Sequence, residues 1–362
     1  MLRLATAATD GIFTARHATA HGVRPAMLRQ LIRAGECFRL RRGLYAFSNS
    51  RIDLPTLPNR QTLARPLKGV GYPEDRHALL ARGILIQRAG TLAASHHSAA
   101  ILTGLPVWGV NFRQPRFTRI GGKHTSSDRE LVIGPPWPSD AWHVTELGPL
   151  IKPAVACLQI AMTFGIEQGV ASIDAALTSG LATCVELRSW LDRIVGQRHC
   201  TRARDAVELA NGLSESVGES RLQVRLHHLG YRGLKPQIEV VAGSRVIGRV
   251  DLFEKENRIV IEFDGDGKYD GPQGRARLRT EKRREDEMRS WGLWSVRYGW
   301  NDLDHDEVLR GRMDRAIGQS RQGKISHRVT PRRVRPAVCR GPDASTRNSA
   351  LSGRAGYAGG YD

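Results

Sequence analysis

The chain has 362 residues, a formal net charge of +19 and a 40% hydrophobic fraction. That length holds two or three domains with real cores, and a charge of this size points to a polyanionic partner, most often nucleic acid. No apolar run approaches the roughly 20 residues of a membrane span and the N-terminus lacks a signal-peptide pattern, so the expectation is a cytoplasmic, nucleoid-associated protein with no membrane partner.

The first elements are helical. Thr14 is placed to cap a helix running to Ala20, with Gly22 as its stop. Pro25 suits the first turn of a second helix ending near Ala34, before Gly35. Met27, Leu28, Leu31 and Ile32 make its apolar stripe and leave Arg24, Arg29, Gln30 and Arg33 outside. Cys37 to Phe47, CFRLRRGLYAF, reads as two short strands around a turn near Arg41 to Gly43. Helix, turn, basic helix and basic hairpin are what a winged helix-turn-helix needs, with one helix for the major groove and a wing for the flanking backbone. A helical hairpin with a solvated basic face fits the composition as well.

These residues resemble the N-terminal winged helix of AbiEi-type antitoxins of type IV toxin–antitoxin systems. The shared pattern is Phe13-Thr14 opening the helix, the Gly22-Val23 turn, Leu28 and Leu31, and Arg41 to Tyr45. The resemblance implies DNA binding, commonly for autorepression. Arg24, Arg29 and Arg33 would be the helix contacts, and Arg39, Arg41 and Arg42 the wing contacts.

Residues 51–75 are rich in Pro, Gly and polar side chains and read as a linker. His77 to Ala89 and Ala93 to Gly104 read as helices, the second carrying the adjacent His96 and His97. These two point about 100° apart on a helix and are poorly placed to share one metal. Phe117 to Ile120 and Glu130 to Ile133 are strand-like, and Pro153 to Arg198 is strongly helical. His143-Val144-Thr145 before that helical stretch is similar to the linking region of AbiEi-like proteins. Residues 76–213 are therefore expected to form an α-rich, AbiEi-like middle region. Cys37, Cys157, Cys184, Cys200 and Cys339 are odd in number and never in CxxC, which argues for reduced thiols and against zinc.

From Ser214 the pattern changes. An amphipathic helix carrying Glu219 and ending at Gly230 precedes three strands: Ile238 to Ala242, Arg245 to Phe253 and Arg258 to Asp264. A charged helix, Arg277 to Trp291, a strand, Leu293 to Tyr298, and a closing helix, Asp306 to Ile317, complete an αβββαβα order. Asp251, Glu262 and Asp264 lie within two adjacent strands, where carboxylates are rare. Three there must be paired, protonated or bound to a hard cation, and a salt-bridged or solvent-facing hairpin satisfies the same spacing.

The order and its acids resemble the PD-(D/E)XK nuclease superfamily, and within it the very-short-patch-repair endonuclease-like proteins. Glu219, Arg249-Val250-Asp251, Glu262-Phe263-Asp264-Gly265 and Gly292 to Arg297 carry the likeness over about Ser214 to Ile317. The resemblance implies that Asp251 and Glu262, with Glu219, hold Mg²⁺ or Mn²⁺, and that Glu219 and Asp264 complete or orient that shell. The superfamily's lysine would fall at position 264, where Asp264 stands. Lys268, or Lys282 on the next helix, would then position the attacking water.

The expected architecture is α/β and multi-domain. Residues 1–50 form a winged helix-turn-helix, 51–75 a linker, 76–213 a mostly helical middle, 214–318 a restriction-endonuclease-like domain, and 319–362 a basic disordered tail. Two functions follow. The first is a DNA-binding protein with a metal-dependent endodeoxyribonuclease domain, in a defence or toxin–antitoxin setting. The second is an AbiEi-like antitoxin or repressor whose nuclease-like domain is inactive. Double-stranded DNA is the partner in both, with a cognate toxin in the second setting.

Overall fold

The computed structural model describes residues 4, 6, 8–50, 52, 54, 73–122, 124–127, 129–265, 283–322 and 329–333. At the N-terminus, strand β1 (Ile12–Thr14) runs into helix α1 (Ala15–Ala20), which is followed by α2 (Pro25–Arg33), β2 (Cys37–Arg41) and β3 (Leu44–Phe47). Thr14 caps α1 by accepting the His17 N–H at 3.1 Å, and Pro25 stands in the first turn of α2. The three strands form a sheet in the order β1-β3-β2. Helix, helix and hairpin thus follow the expected winged-helix order.

That small sheet has two buried faces. Phe13, Leu28, Leu31, Cys37 and Phe47 close one core with the helices. Ile12, Leu40, Leu44 and Ala46 belong to a second core, shared with helix α3 (Pro73–Gln87). Arg82 of α3 holds Asp10 at 2.7 Å and the Leu147 carbonyl at 2.8 Å, so the winged helix is braced on the next unit.

The middle region combines its helices with more strand than the sequence suggests. It contains a six-stranded sheet in the order β6-β7-β5-β4-β9-β8. Its strands are β4 (Leu92–Ala94), β5 (Arg116–Arg119), β6 (Ser126–Ser127), β7 (Val132–Gly134), β8 (Trp142–Thr145) and β9 (Gly148–Ile151). The expected helix from Ala93 is in fact strand β4 followed by α4 (His96–Leu102). β4 pairs antiparallel with β5 and parallel with β9, and these tertiary partners override the helical preference of alanine. Helices α5 (Pro153–Phe164), α6 (Ile166–Thr178), α7 (Cys184–Arg193) and α8 (Cys200–Leu209) follow. Cys37, Cys157 and Cys200 are free thiols.

Helix α9 (Val217–His228) is joined firmly to this middle unit. Asp174 of α6 is buried and accepts the N–H groups of Asn211 and Gly212 and the Ser220 hydroxyl, at 2.7–2.8 Å. Arg221, almost fully buried, lies 3.5 Å over Trp108 and pairs with Glu167 at 3.2 Å and Asp304 at 2.8 Å.

After α9 come β10 (Lys235–Ala242), β11 (Arg245–Glu254), β12 (Ile259–Asp264), a helix over 283–290 called α10, β13 (Trp294–Gly299) and α11 (Asp306–Gln322). The β11–β12 turn is closed by the buried Glu254, whose carboxylate accepts the N–H groups of Glu256 and Asn257. With β14 (Val329–Arg333) at its edge, the sheet order is β13-β12-β11-β10-β14, with β12 and β13 parallel. One face, with Ile261, Phe263, Val296 and Tyr298, packs under α9 and α11. The other, with Val250, Phe253 and Val260, packs against Met288 of α10.

The expected disordered tail needs correction at its start. α11 continues to Gln322, held by the Ser320 hydroxyl on the Asn257 carbonyl, and β14 (Val329–Arg333) pairs with β10. Arg332 on β14 meets Glu239 at 2.6 Å, so a basic residue serves as a strand partner to an acidic one.

Candidate functional sites

The winged helix presents an unbalanced cationic surface. Between Gly11 and Ser50 there are seven arginines and one carboxylate, Glu36. Arg24, Arg29, Arg33, Arg39 and Arg42 are exposed and Arg41 is half-buried. Among the described residues, none of the six is in an ion pair with a carboxylate. Met27, expected in the apolar stripe, is 46% exposed, while Leu28 and Leu31 are buried. It lies beside the arginines on α2, because the core beneath the helix takes only the narrower Leu28–Leu31 face. The wing is held from behind by Arg76, which donates to the Arg39 carbonyl at 2.8 Å and lies over the Phe38 ring.

The second candidate site is the acidic set of the C-terminal sheet. Ser216 caps α9 by accepting the Glu219 N–H at 3.1 Å. The Glu219 carboxylate turns back to accept the Glu215 N–H and the Ser216 hydroxyl at 2.8 Å, and Gln237 Nε2 at 2.9 Å. Burial first, and then the neighbouring Asp251 charge, push the Glu219 pKa up to about 7. Asp251 in turn accepts the backbone N–H of Phe263 at 2.8 Å. The Phe263 ring lies beneath Gly218, where an added Cβ would overlap it, so the Glu219 helix and the Asp251 strand meet on one aromatic residue.

Glu262 has other partners. Strand alternation puts it with Val260 on the α10 face, where Arg284 and Arg297 pair with its two oxygens, Arg297 at 3.1 Å. Arg297 also reaches Asp264 at 3.6 Å. The structure therefore brings Glu219 and Asp251 together and gives Glu262 and Asp264 to arginines. Among the described residues, no group of three or more His, Cys, Asp or Glu side chains could hold a metal ion. Lys268 and Lys282 lie outside the described residues.

Sequence reasoning missed Gln237 and the role of Arg284. Gln237 has a left-handed φ of 49°, and its Oε1 is buried with no hydrogen-bond donor among the described residues. Through its Nε2 it is bonded to Glu219, the carboxylate that the Asp251 charge also reaches, and oxygens of this kind are hard-cation donors. Nothing in the strand sequence KPQIEVVA singles it out, since polar residues also stand at Lys235 and Glu239. Arg284 was visible only as one of several charges on a basic helix.

Residues 2–48 match the family described as transcriptional regulator, AbiEi antitoxin. No curated protein matches the chain. No helix among the described residues is long and apolar enough to cross a membrane.

Proposed function

We propose that the protein is a DNA-binding transcriptional regulator of the AbiEi antitoxin type, which binds duplex DNA through α2 and the β2–β3 wing and acts with a cognate toxin in the cytoplasm. The observation that carries this reading is the coincidence of the matched residues 2–48 with a winged helix whose six candidate arginines have no carboxylate partners among the described residues. Arg24, Arg29 and Arg33 on the helix and Arg39, Arg41 and Arg42 on the wing neutralise phosphates, and Met27 offers an apolar contact to a base edge. The test is titration of duplex DNA from the region upstream of its own gene, followed by fluorescence anisotropy across a salt series. Arg29→Ala and Arg33→Ala should each weaken binding and lower the salt slope by about one. Binding unchanged in both variants would sink the assignment.

A second reading, a metal-dependent endodeoxyribonuclease in the C-terminal unit, is favoured by the joined Glu219, Asp251 and Gln237 oxygens. Magnesium or manganese held there would supply a Lewis acid for a phosphodiester. Asp251 and Glu219 would hold the ion, and Lys268 would orient the attacking water. Glu262 would join only by leaving Arg284 and Arg297. Plasmid cleavage with Mg²⁺ or Mn²⁺, compared between wild type, Asp251→Ala and Glu219→Ala, separates the readings. Cutting that depends on both acids establishes the nuclease, and its absence leaves the regulator alone.

A further inference from the structure

A small basic pocket lies beyond the end of α3, at the side of the six-stranded sheet. It is lined by Arg88, Thr91, Leu92, Arg119, Ser126 and Ile133 and encloses about 150 Å³. That is well below the roughly 300 Å³ of a drug-sized ligand site and equals about five water molecules, the scale of one tetrahedral anion. Its polar lining consists of two guanidinium groups and two hydroxyls, with no carboxylate among the described lining residues.

The pocket is partly pre-set. Arg119 Nε donates to the His124 carbonyl at 2.7 Å, which ties down the guanidinium and leaves its other N–H groups without a protein partner among the described residues. Thr91 donates its hydroxyl to the Arg88 carbonyl at 2.8 Å, so its oxygen still has acceptor capacity only, and the pocket's donors are the arginines and Ser126. Two cations lining one small pocket repel, and an anion held there relieves that cost.

Its place in the fold names the anion. Gln87, adjacent to Arg88, reaches the Gly43 carbonyl at the wing turn at 3.5 Å. Gly43 follows Arg41 and Arg42. α3 also packs against β1 and β2, so the end of α3 lies beside the wing. Basic side chains thus continue from the wing turn onto the middle unit. We infer that the Arg88–Arg119 pocket takes a backbone phosphate of the same duplex that the winged helix binds, which lengthens the footprint beyond the wing. This rests on the DNA-binding reading above.

The experiment is duplex titration by anisotropy from 50 to about 300 mM salt, with wild type, Arg88→Ala, Arg88→Lys and Arg119→Ala. Loss of one phosphate contact lowers the salt slope by about 0.9 and weakens binding on the order of fivefold near 0.15 M salt. Arg88 is an exposed helix-end residue, so its variants keep the test clear of folding defects. Arg88→Ala and Arg119→Ala should each lose that contact, and Arg88→Lys should retain most of it. Unchanged slopes in both alanine variants, with wild type binding normally, overturn the pocket assignment alone. A wild type that binds no duplex overturns the DNA-binding reading and the pocket with it. Stabilisation of wild type by inorganic phosphate, lost in the alanine variants while duplex binding is untouched, assigns the pocket to a free anion and also overturns the inference.

Discussion

The Asp251 carboxylate accepts the backbone N–H of Phe263 at 2.8 Å, next to where the β11–β12 ladder has its Leu252–Ile261 pair. A side chain thus stands in for a main-chain acceptor where the two strands meet. The same carboxylate raises the proton affinity of Glu219, so Asp251 links the sheet to the first turn of α9.

Asp251→Ala should therefore cost about 1–3 kcal/mol, the penalty for leaving a buried N–H unsatisfied. Urea denaturation measures it. Asp251→Asn, which keeps an acceptor oxygen, should restore most of the loss. Equal destabilisation by both variants would show that the charge on Asp251, and not its hydrogen bond, stabilises the strand.

Gly218→Ala should destabilise the fold by about 1–3 kcal/mol through overpacking against Phe263. Helix propensity alone favours the alanine by about 1 kcal/mol, so the sign of the change decides between local and tertiary control. A companion Phe263→Leu change, which removes the ring, should make the alanine tolerable, and chemical denaturation of the double variant reads this directly.

Glu262 is 7% exposed and is neutralised from two sides by Arg284 and Arg297. Either single alanine substitution leaves one cation in place. The double variant leaves a buried carboxylate with its two arginine partners gone and should cost about 3–5 kcal/mol, more than the sum of the singles. A double-mutant cycle by urea melts tests this, and simple additivity would rule out shared neutralisation of Glu262.

The buried histidine pair of the middle unit sets an acid limit. His77 and His97 meet with tilted rings, centroids 4.8 Å apart, and both are fully buried. His77 Nδ1–H donates to the Phe112 carbonyl at 2.8 Å, and its Nε2 accepts the Ser98 hydroxyl at 2.9 Å. Burial lowers the His77 pKa to about 4 and the His97 pKa to about 2, from 6.5. The unfolded chain then binds more protons below pH 6.5 than the folded one. Stability is fully present above pH 6.5 and falls as pH drops toward 4, by up to about 1.4 kcal/mol per pH unit for each histidine. His77→Gln should flatten that slope in melts between pH 7 and 4.5. An unchanged slope would place the acid sensitivity elsewhere.

Much of the fold was legible because its signals act over a few residues. The Thr14 cap, Pro25 in the first turn of α2, and Gly43 in the wing turn with φ of 76° define the N-terminal unit locally. Alternation in Arg245–Glu254 and Ile259–Asp264, and the polar turn between them, similarly gave the central strands of the C-terminal sheet. Strand β4 in an alanine-rich run and strand β14 were not legible, since each is held by partners distant in sequence.

The candidate site divides in the same way. Sequence by itself determined that acids stand within adjacent strands and that arginines crowd the N-terminal helix and wing. Only tertiary structure decided which acids meet. Asp251 holds the Phe263 N–H and lies close enough to Glu219 to raise its pKa, Glu219 takes the Gln237 amide, and Glu262 is paired with Arg284 and Arg297. A carboxylate's neighbours depend on strand register, on which face alternation gives it, and on the helix packed over that face, and spacing along the chain fixes none of these three.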